Sequence, residues 1–378
     1  MKPRLRFSGF NSEWQQIRLG DFVDFKNGKP HEDDIVAGGR YELITINSIG
    51  TDGNLKSSKK HVASDDGSLL KDDIIVILSD IAHGYLLGMS DLVPESGKYV
   101  LNQRVGRVRV NKSYSPAFTR LAMNKKQLFF RNRGQGTSQR HIYERDINSL
   151  LIFMPEIYEQ KKIASFISTV DARILNQKVR ISKLKRYKSV VMKKILYQDI
   201  GFKNKDGIHY QGWTEVSLGD IAHKENSSIS ANEIVGRSGK YKVFGAGGFL
   251  QLLDRYDQES EYISIVKDGA GVGRLMLCEP QSSVLSTLSV IKAKDGIDTK
   301  FLYALMSTIN FRKYSIGSTI PHVYFSHYAK ERFNLPSFVE QQKIAALFTS
   351  LEEKIALEEK MSTQLKKFRQ SLLQRMFM

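Results

Sequence analysis

Apolar residues recur along two stretches of this chain in alternating steps of four and three. In the first they fall at Ile163, Ile167, Val170, Ile174, Ile181, Leu184, Val191 and Ile195, and in the second at Ile344, Phe348, Leu351, Ile355, Leu365, Leu372 and Met376. Neither stretch contains Gly or Pro after its opening Pro155 or Pro336, so each predicts one uninterrupted helix, over 156–198 and 337–378. A heptad seam sustained this long, twice, predicts that the helices pair as a coiled coil. Gln177 and Lys188 break the first seam, and Glu358, Ser362 and Arg369 the second.

The two stretches repeat each other at an offset of 181 residues, without a gap. Pro155/Pro336, Glu159/Glu340, Gln160/Gln341, Lys162/Lys343, Ile163/Ile344, Ala164/Ala345, Ile174/Ile355, Leu184/Leu365 and Lys185/Lys366 are identical pairs. Trp14 followed by Leu19-Gly20-Asp21 answers Trp213 followed by Leu218-Gly219-Asp220, so the repeating unit is a domain plus a helix. About 137 residues separate the helices. An antiparallel pairing brings the ends of that intervening domain together, as compact domains require.

Four segments follow: 1–154, a lead and first domain; 155–199, a central helix; 200–335, a second domain; and 336–378, a final helix. Within the domains the period shortens to two. Residues 41–49, 72–78, 106–110, 261–266, 274–278 and 288–293 read as strands between Gly-rich turns, and 115–132 and 298–314 read as helices. The fold class is therefore α/β in the α+β sense: two mixed domains joined and spaced by an antiparallel helical pair with pseudo-two-fold symmetry. Near each domain's end Gly136-Thr137-Ser138 with His141 answers Gly317-Ser318-Thr319 with His322. Features shared by both domains read as scaffold, so the histidines are taken as structural and the hydroxyl pairs as turn or helix-cap residues.

Charge changes the picture most. A formal net charge of +17 over 378 residues points to a polyanion, with nucleic acid ahead of a membrane. The longest apolar runs, at 74–78 and 150–154, are strand-length, and the N-terminus has no apolar leader region. A single cysteine, Cys278, excludes an intramolecular disulfide and a Cys-based zinc site. Together these predict a cytoplasmic chain.

Catalytic signatures are sparse. No Pro-Pro pair is present for an amino-methyltransferase motif, and no GxxxxGK[ST] phosphate loop occurs. Gly269, Gly271 and Gly273 precede a strand-like segment, which favours a turn over a dinucleotide loop. Glu352-Glu353-Lys354 lies on a helix, where such charges are ordinary surface.

Candidate DNA contacts are basic. The first domain offers Arg104, Arg107, Arg109, Lys125, Lys126, Arg131, Arg133 and Arg140; the second offers Lys240, Lys242, Lys267, Arg274, Arg312 and Lys313. Arginine suits bidentate contact with guanine or phosphate. The first helix carries eleven Lys/Arg between 161 and 194 against one acid, Asp171. Thirty-eight helical residues span roughly 57 Å, or about 16–17 base pairs of B-form DNA. Two related but diverged domains predict a bipartite, asymmetric double-stranded target with an unread spacer.

WQQIRLGD and WTEVSLGD opening the domains, PxxxEQxKIA opening the helices, SGKYKVFGAGGFL with SIVKDGAGVGRLMLC, and YVLNQRVGRVRV together resemble the specificity subunits of type I restriction–modification systems, over the full length. The resemblance implies a non-catalytic scaffold with two target-recognition domains, joined by two modification (methyltransferase) subunits and then by restriction–translocase subunits. S-adenosylmethionine, ATP and Mg²⁺ would belong to those partners, and this chain would hold no metal or cofactor. The helix openings, Glu159, Gln160, Lys162, Glu340, Gln341 and Lys343, are then the expected docking surface. The alternatives are a coiled-coil DNA-binding structural protein and a specificity subunit of another restriction class.

Overall fold

The computed structural model describes every residue except Met1, Thr51, Asp66, Ser68, Ala82, Gln211, Ala270 and Ser318; the expected turn role of Ser318 thus falls outside the described residues. The chain divides into two units, Met1–Asn176 with Ser362–Met378, and Gln177–Met361. Each unit takes part of both long helices.

In the first unit the chain runs β1 (Gln15–Arg18), β2 (Val23–Asn27), β3 (Tyr41–Ile44), β4 (His61–Val62), β5 (Ile74–Ile77), β6 (Ser79–Ile81), β7 (Ser90–Leu92), β8 (Tyr99–Leu101) and β9 (Val105–Val110). Then come α1 (Pro116–Lys125), α2 (Gln127–Arg133), β10 (Gln139–His141), α3 (Glu144–Asn148), β11 (Leu151–Met154) and α4 (Ile157–Leu196). An antiparallel sheet of order β2-β9-β5-β7 sits beside a smaller sheet, β4-β3-β8, whose β3·β8 pair is parallel. β1 pairs β11, and β6 pairs β10.

The second unit repeats this plan. It has β12 (Thr214–Ser217), α5 (Leu218–Ile221), β13 (Ala222–Asn226), β14 (Tyr241–Gly245), β15 (Gly248–Leu253), β16 (Tyr262–Val266), β17 (Leu275–Cys278), β18 (Ser282–Val284) and β19 (Leu288–Ala293). It continues with α6 (Thr299–Met306), β20 (Ser315–Ile316), β21 (His322–Val323), α7 (Phe325–Tyr328), β22 (Arg332–Leu335) and α8 (Phe338–Met376). The sheets β13-β19-β16-β17 and β15-β14-β18 match those of the first unit strand for strand.

Gly269, Gly271 and Gly273 lie in the turn between β16 and β17, as the strand-like continuation predicts. The expected helices at 115–132 and 298–314 are each interrupted. The first breaks at Lys126. The second ends at Met306, where the hydroxyls of Ser307 and Thr308 turn back to the carbonyls of Tyr303 and Leu305 at 2.8 and 2.7 Å. Such local bonds compete with helix continuation. Thr137 and Ser138 form a bend before β10 and cap no helix; Tyr143 begins α3 instead.

The long helices bury their seams largely in the domain cores. Ile163, Ile167, Val170 and Ile174 share one core with Leu372, Met376, Trp14 and Phe118. Ile195, Ile344 and Phe348 share another with Phe301, Leu305 and Ile265. Ile355 is buried as well, while Ile181, Leu184, Leu351 and Leu365 are only half-buried. One seam position needs correcting: Val191 is half-buried and its neighbour Met192 takes the core place. A straight helix drifts by about 20° per heptad, which moves the buried position along by one residue.

The polar breaks have partners across the helices. Gln177 Nε2 donates to the Glu358 carbonyl at 3.0 Å and to its carboxylate, which also accepts from Arg180 at 2.8 Å. Lys188 meets Glu352 at 2.9 Å, and Arg369 forks onto Asp171. Within the second unit, 180 faces 358 and 188 faces 352; within the first, 171 faces 369. The helices are antiparallel in both. At offset 181, Lys188 corresponds to Arg369 and Asp171 to Glu352. The two ion pairs are therefore copies of one pair. Gln177 corresponds to Glu358 itself, so this position bonds to its own copy.

Candidate DNA-reading faces

The helix openings clamp each domain to its own helix. Glu159 accepts a fork from Arg6 at 2.7 Å for both contacts, and Gln160 accepts the Ser115 amide at 2.9 Å while donating to the Pro155 carbonyl at 2.7 Å. In the second unit Glu340 accepts from Trp213 Nε1 at 2.9 Å, and Gln341 accepts the Asp298 amide at 3.0 Å while donating to Pro336. Ser115 and Asp298 are the N-caps of α1 and α6. The repeated glutamines thus fix the last domain helix against the long one. Glu159, Gln160, Glu340 and Gln341 are all buried, which overturns their expected role as a docking surface: their polar atoms are already consumed. Lys162 lies over Phe7 and Phe10, and Lys343 lies over Tyr210 while donating to the Lys203 carbonyl at 2.7 Å. Both lysines hold the lead segments down.

Burial pushes the Glu340 carboxyl above its ordinary range, against the lowering effect of the Trp213 hydrogen bond. The folded state then keeps a proton that the unfolded chain has released. Stability from this group is complete below the ordinary carboxylate pKa of about 4.3 and is lost as pH rises through the raised folded value. The Glu340→Gln variant keeps an acceptor for Trp213. We expect its melting temperature to match or exceed the parent's at neutral pH, with the difference shrinking toward pH 4. A variant that melts lower at pH 7 would contradict this account.

Several candidate basic residues are committed to the scaffold. Arg107 is buried and ion-paired with Asp24. Arg109 forks onto the buried Asp73 at 2.7 Å for both contacts, which raises the pKa of its guanidinium. Both were expected to touch DNA, and both instead neutralise carboxylates on their sheet. Lys125 donates to the Leu373 carbonyl at 3.3 Å near the end of α8, and burial lowers its pKa, with Lys126 adding to the effect. It is a helix-end cation. Lys242 pairs with Glu279 and Lys313 with Glu331 at exposed positions. Lys240, over Tyr241, sits at the open end of the β14–β15 ribbon, away from its tip. Arg104 is exposed in a left-handed turn, Lys126 is half-buried at the α1–α2 break, and Arg133 stacks on Phe129 at 3.6 Å.

What remains converges on corresponding turns. In the first unit Arg131 lies over Tyr85 at 4.4 Å, and Arg140 donates to the Gly134 carbonyl at 2.9 Å. Both border the β6–β7 turn, where Ile81 and Tyr85 are exposed and His83 lies beside Tyr85. In the second unit the β16–β17 turn brings Lys267 and Arg274 together, and Arg312 lines the same shallow concavity as Arg274. Arg274 Nη1 donates to the Ala246 carbonyl at 2.7 Å, at the tip of the β14–β15 hairpin. Exposed Ile320 and Tyr324 flank this turn.

The repeated histidines join each face to its sheet. His141 Nδ1 bonds Ser79 Oγ at 2.6 Å, and His322 Nδ1 bonds Asp268 Oδ1 at 2.6 Å. These bonds are in line with the scaffold role expected from their repetition. The exposed apolar members of the faces, Ile81, Tyr85, Phe249, Leu250, Ile320 and Tyr324, were not singled out by charge.

Two copies of one scaffold, with Arg131 and Arg312 at one repeat position but different exposed side chains around it (His83 and Tyr85 in one copy, Phe249, Leu250 and Ile320 in the other), narrow the choice of family. Residues 11–186 and 210–367 match the type I restriction modification DNA specificity domain. The chain belongs to this family. It is similar to the MjaVIII type I restriction enzyme specificity subunit of Methanocaldococcus jannaschii, with 21% identity over 96% of this chain and 91% of that one. A putative type I specificity subunit of Mycoplasma pneumoniae is 22% identical over 73% of this chain and 70% of its own length. The fold resembles the crystal structure of the type I restriction–modification S subunit from M. genitalium, with a TM-score of 0.71 and 19% identity over 100% of this chain and 99% of that one. A second solved chain, from work on complex assembly and conformational transition of the type I system, superposes with a TM-score of 0.54 at 16% identity over 96% and 97% of the two chains. As a specificity-domain protein the chain carries two DNA target-recognition domains, and the diverged faces lie within them. Among its described residues no helix is long and apolar enough to cross a membrane.

Proposed function

We propose that this specificity subunit reads a bipartite, asymmetric double-stranded DNA site, one half with each domain, and that α4 and α8 act as the spacer-setting element. The observation that carries this reading is the pairing of a repeated scaffold, which keeps Arg131 and Arg312 at one position, with exposed aromatic and aliphatic side chains beside it that mostly differ between the copies. Conserved geometry supports a common mode of approach to DNA, and divergent side chains support different base sequences. The chain itself performs no covalent chemistry. Methyl transfer, with S-adenosylmethionine, and DNA cleavage, with ATP and Mg²⁺, belong to two modification subunits and to restriction subunits. The complex works in the cytoplasm.

The docking surface for the modification subunits moves from the helix openings to the exposed flank of the long helices. In the second unit Val179, Tyr187 and Val190 on α4 and Leu357 and Met361 on α8 are exposed apolar residues. Apolar side chains at helical spacing outside any core suit a partner helix.

Domain exchange tests the reading. Residues 19–154 are replaced by the corresponding domain of a subunit with another target, and methyladenine is mapped in cells carrying the chimera with its modification partner. One half of the methylated motif should change and the other persist. A change in both halves, or in neither, overturns the proposal.

A further inference from the structure

The β14–β15 hairpin is built unlike an ordinary sheet edge. Its strands are joined by Ala246-Gly247 alone, between the paired Gly245 and Gly248. Gly248 has a φ of +111°, and neither Gly247 nor Gly248 would meet anything within 4 Å if given a side chain. The two glycines leave the tip thin and open around them, while Ala246 packs against the core cluster behind it. Behind it, on the edge strand β15, Phe249, Leu250 and Leu252 are 57%, 46% and 37% exposed. The register shift at Val243/Phe244 inserts Leu250 as an extra residue, so Phe249 and Leu250 both reach the surface side by side. Natural edge strands usually carry charge or proline, because an apolar edge invites aggregation. Here the charge beside the tip comes, among the described residues, from other elements: Arg274 grips the Ala246 carbonyl, with Lys267 on the same turn and Arg312 in the same concavity.

Resting on the DNA-reading assignment above, we propose that this hairpin enters the major groove of the second domain's half-site and recognises thymine through its 5-methyl group, with Phe249 and Leu250 as the specificity-determining side chains. A two-stranded ribbon fits the roughly 12 Å width of the major groove, and the thymine methyl is the apolar feature of that groove's edge pattern. The cations beside the tip match the phosphates lining the groove. A protein-docking patch would have no need of them. The first domain supplies a contrast: its corresponding strands β3 and β4 are joined by residues 45–60, a polar segment containing Lys56, Lys59 and Lys60. Methyl recognition by a hairpin belongs to the second half-site only.

The test uses the full chain assembled with its modification subunits. The probes are duplexes of the mapped methylation motif in which each thymine is replaced by deoxyuridine, one half-site at a time, with domain exchange showing which half belongs to which domain. Loss of one methyl contact should weaken binding of the parent about fourfold in the second half-site. The Phe249→Ala and Leu250→Ala variants, at exposed positions and with unchanged melting temperature, should bind weakly and no longer distinguish uracil from thymine there. Uracil in the first half-site should act equally on parent and variants. The proposal is overturned by a second half-site with no thymine on either strand, by uracil insensitivity of the parent, or by sensitivity that survives in the variants. It is also overturned if Phe249 raises 2-aminopurine fluorescence in the site, which marks a wedge between base pairs, or if the variants lose the modification subunits while a DNA affinity measured on the chain alone is intact. Failure of the parent complex to bind any motif duplex would instead refute the DNA-reading assignment.

Discussion

Replacing Gln177 by Glu should cost roughly 2–4 kcal/mol of stability at pH 7 and much less near pH 4. Gln177 Nε2 now donates to the buried Glu358 carboxylate. A carboxylate in its place would lose that donor and face Glu358 across the helices, with Arg180 alone, among the described residues, left to neutralise the two. Like charges so close cannot both ionise, so one retains its proton. The shared folded pKa is then raised above the unfolded value of about 4.3. Stability is intact below that value and is lost as pH rises through the raised one. Calorimetric melting of parent and variant at pH 4.5 and pH 7 reads this directly. Equal losses at both pH values would mean that packing, and not charge, governs the site. The Glu358→Gln variant provides the control: a neutral Gln–Gln pair should show little pH dependence. Because 177 and 358 are the same position of the repeat, this one contact separates correct pairing of unlike copies from pairing of the second copy with itself, which would oppose two glutamates.

Removing the Arg6 side chain should destabilise the first unit by roughly 3 kcal/mol. Glu159 is fully buried and both its oxygens accept from Arg6 at 2.7 Å. The same guanidinium donates to the Ser12 carbonyl at 2.7 Å, and the preceding Leu5 amide donates to the Arg375 carbonyl at 2.8 Å. Arg6 therefore joins the lead to the start of α4 next to where Leu5 joins it to the end of α8. In the Arg6→Ala variant a carboxylate is left buried and unpaired. For a unit of this size the first-unit transition should fall by about 6–12 °C. Combining Arg6→Met with Glu159→Met should recover most of the loss, since the desolvated charge is gone with its partner. A loss below about 1 kcal/mol in Arg6→Ala would show that water reaches Glu159.

The equivalent carboxylates take different partners despite an identical EQxKIA setting. Glu159 faces a cation, while Glu340 faces the neutral indole of Trp213. The difference lies outside the repeated motif, in how each lead approaches. Arg6 has taken the carboxylate in the first unit, and the Trp14 Nε1 has no hydrogen-bond partner among the described residues.

Much of this protein was legible before its structure. The 181-residue offset, the heptad period and the Gly-free runs determine two long helices, two related domains and an antiparallel pairing, because periodicity and repetition are properties of the chain that packing must respect. The family could be recognised from the order and duplication of its short motifs. Net charge pointed to DNA for the same reason: Coulomb attraction to phosphate depends on the total and not on the fold.

Which charges face outward was decided only by tertiary structure. Arg107 and Arg109 look like Arg274 in the sequence, yet the sheet places Asp24 and Asp73 within their reach and leaves Arg274 at a hairpin tip. Glu159 and Gln160 look like surface residues of a helix opening, yet the domain closes over them and takes their hydrogen bonds for its lead and its last helix. A polar side chain's role is set by the partner that arrives across many residues of sequence, and no local pattern encodes that arrival. The same holds for Phe249 and Leu250: apolarity is written in the chain, but only the finished edge strand shows that no core receives them.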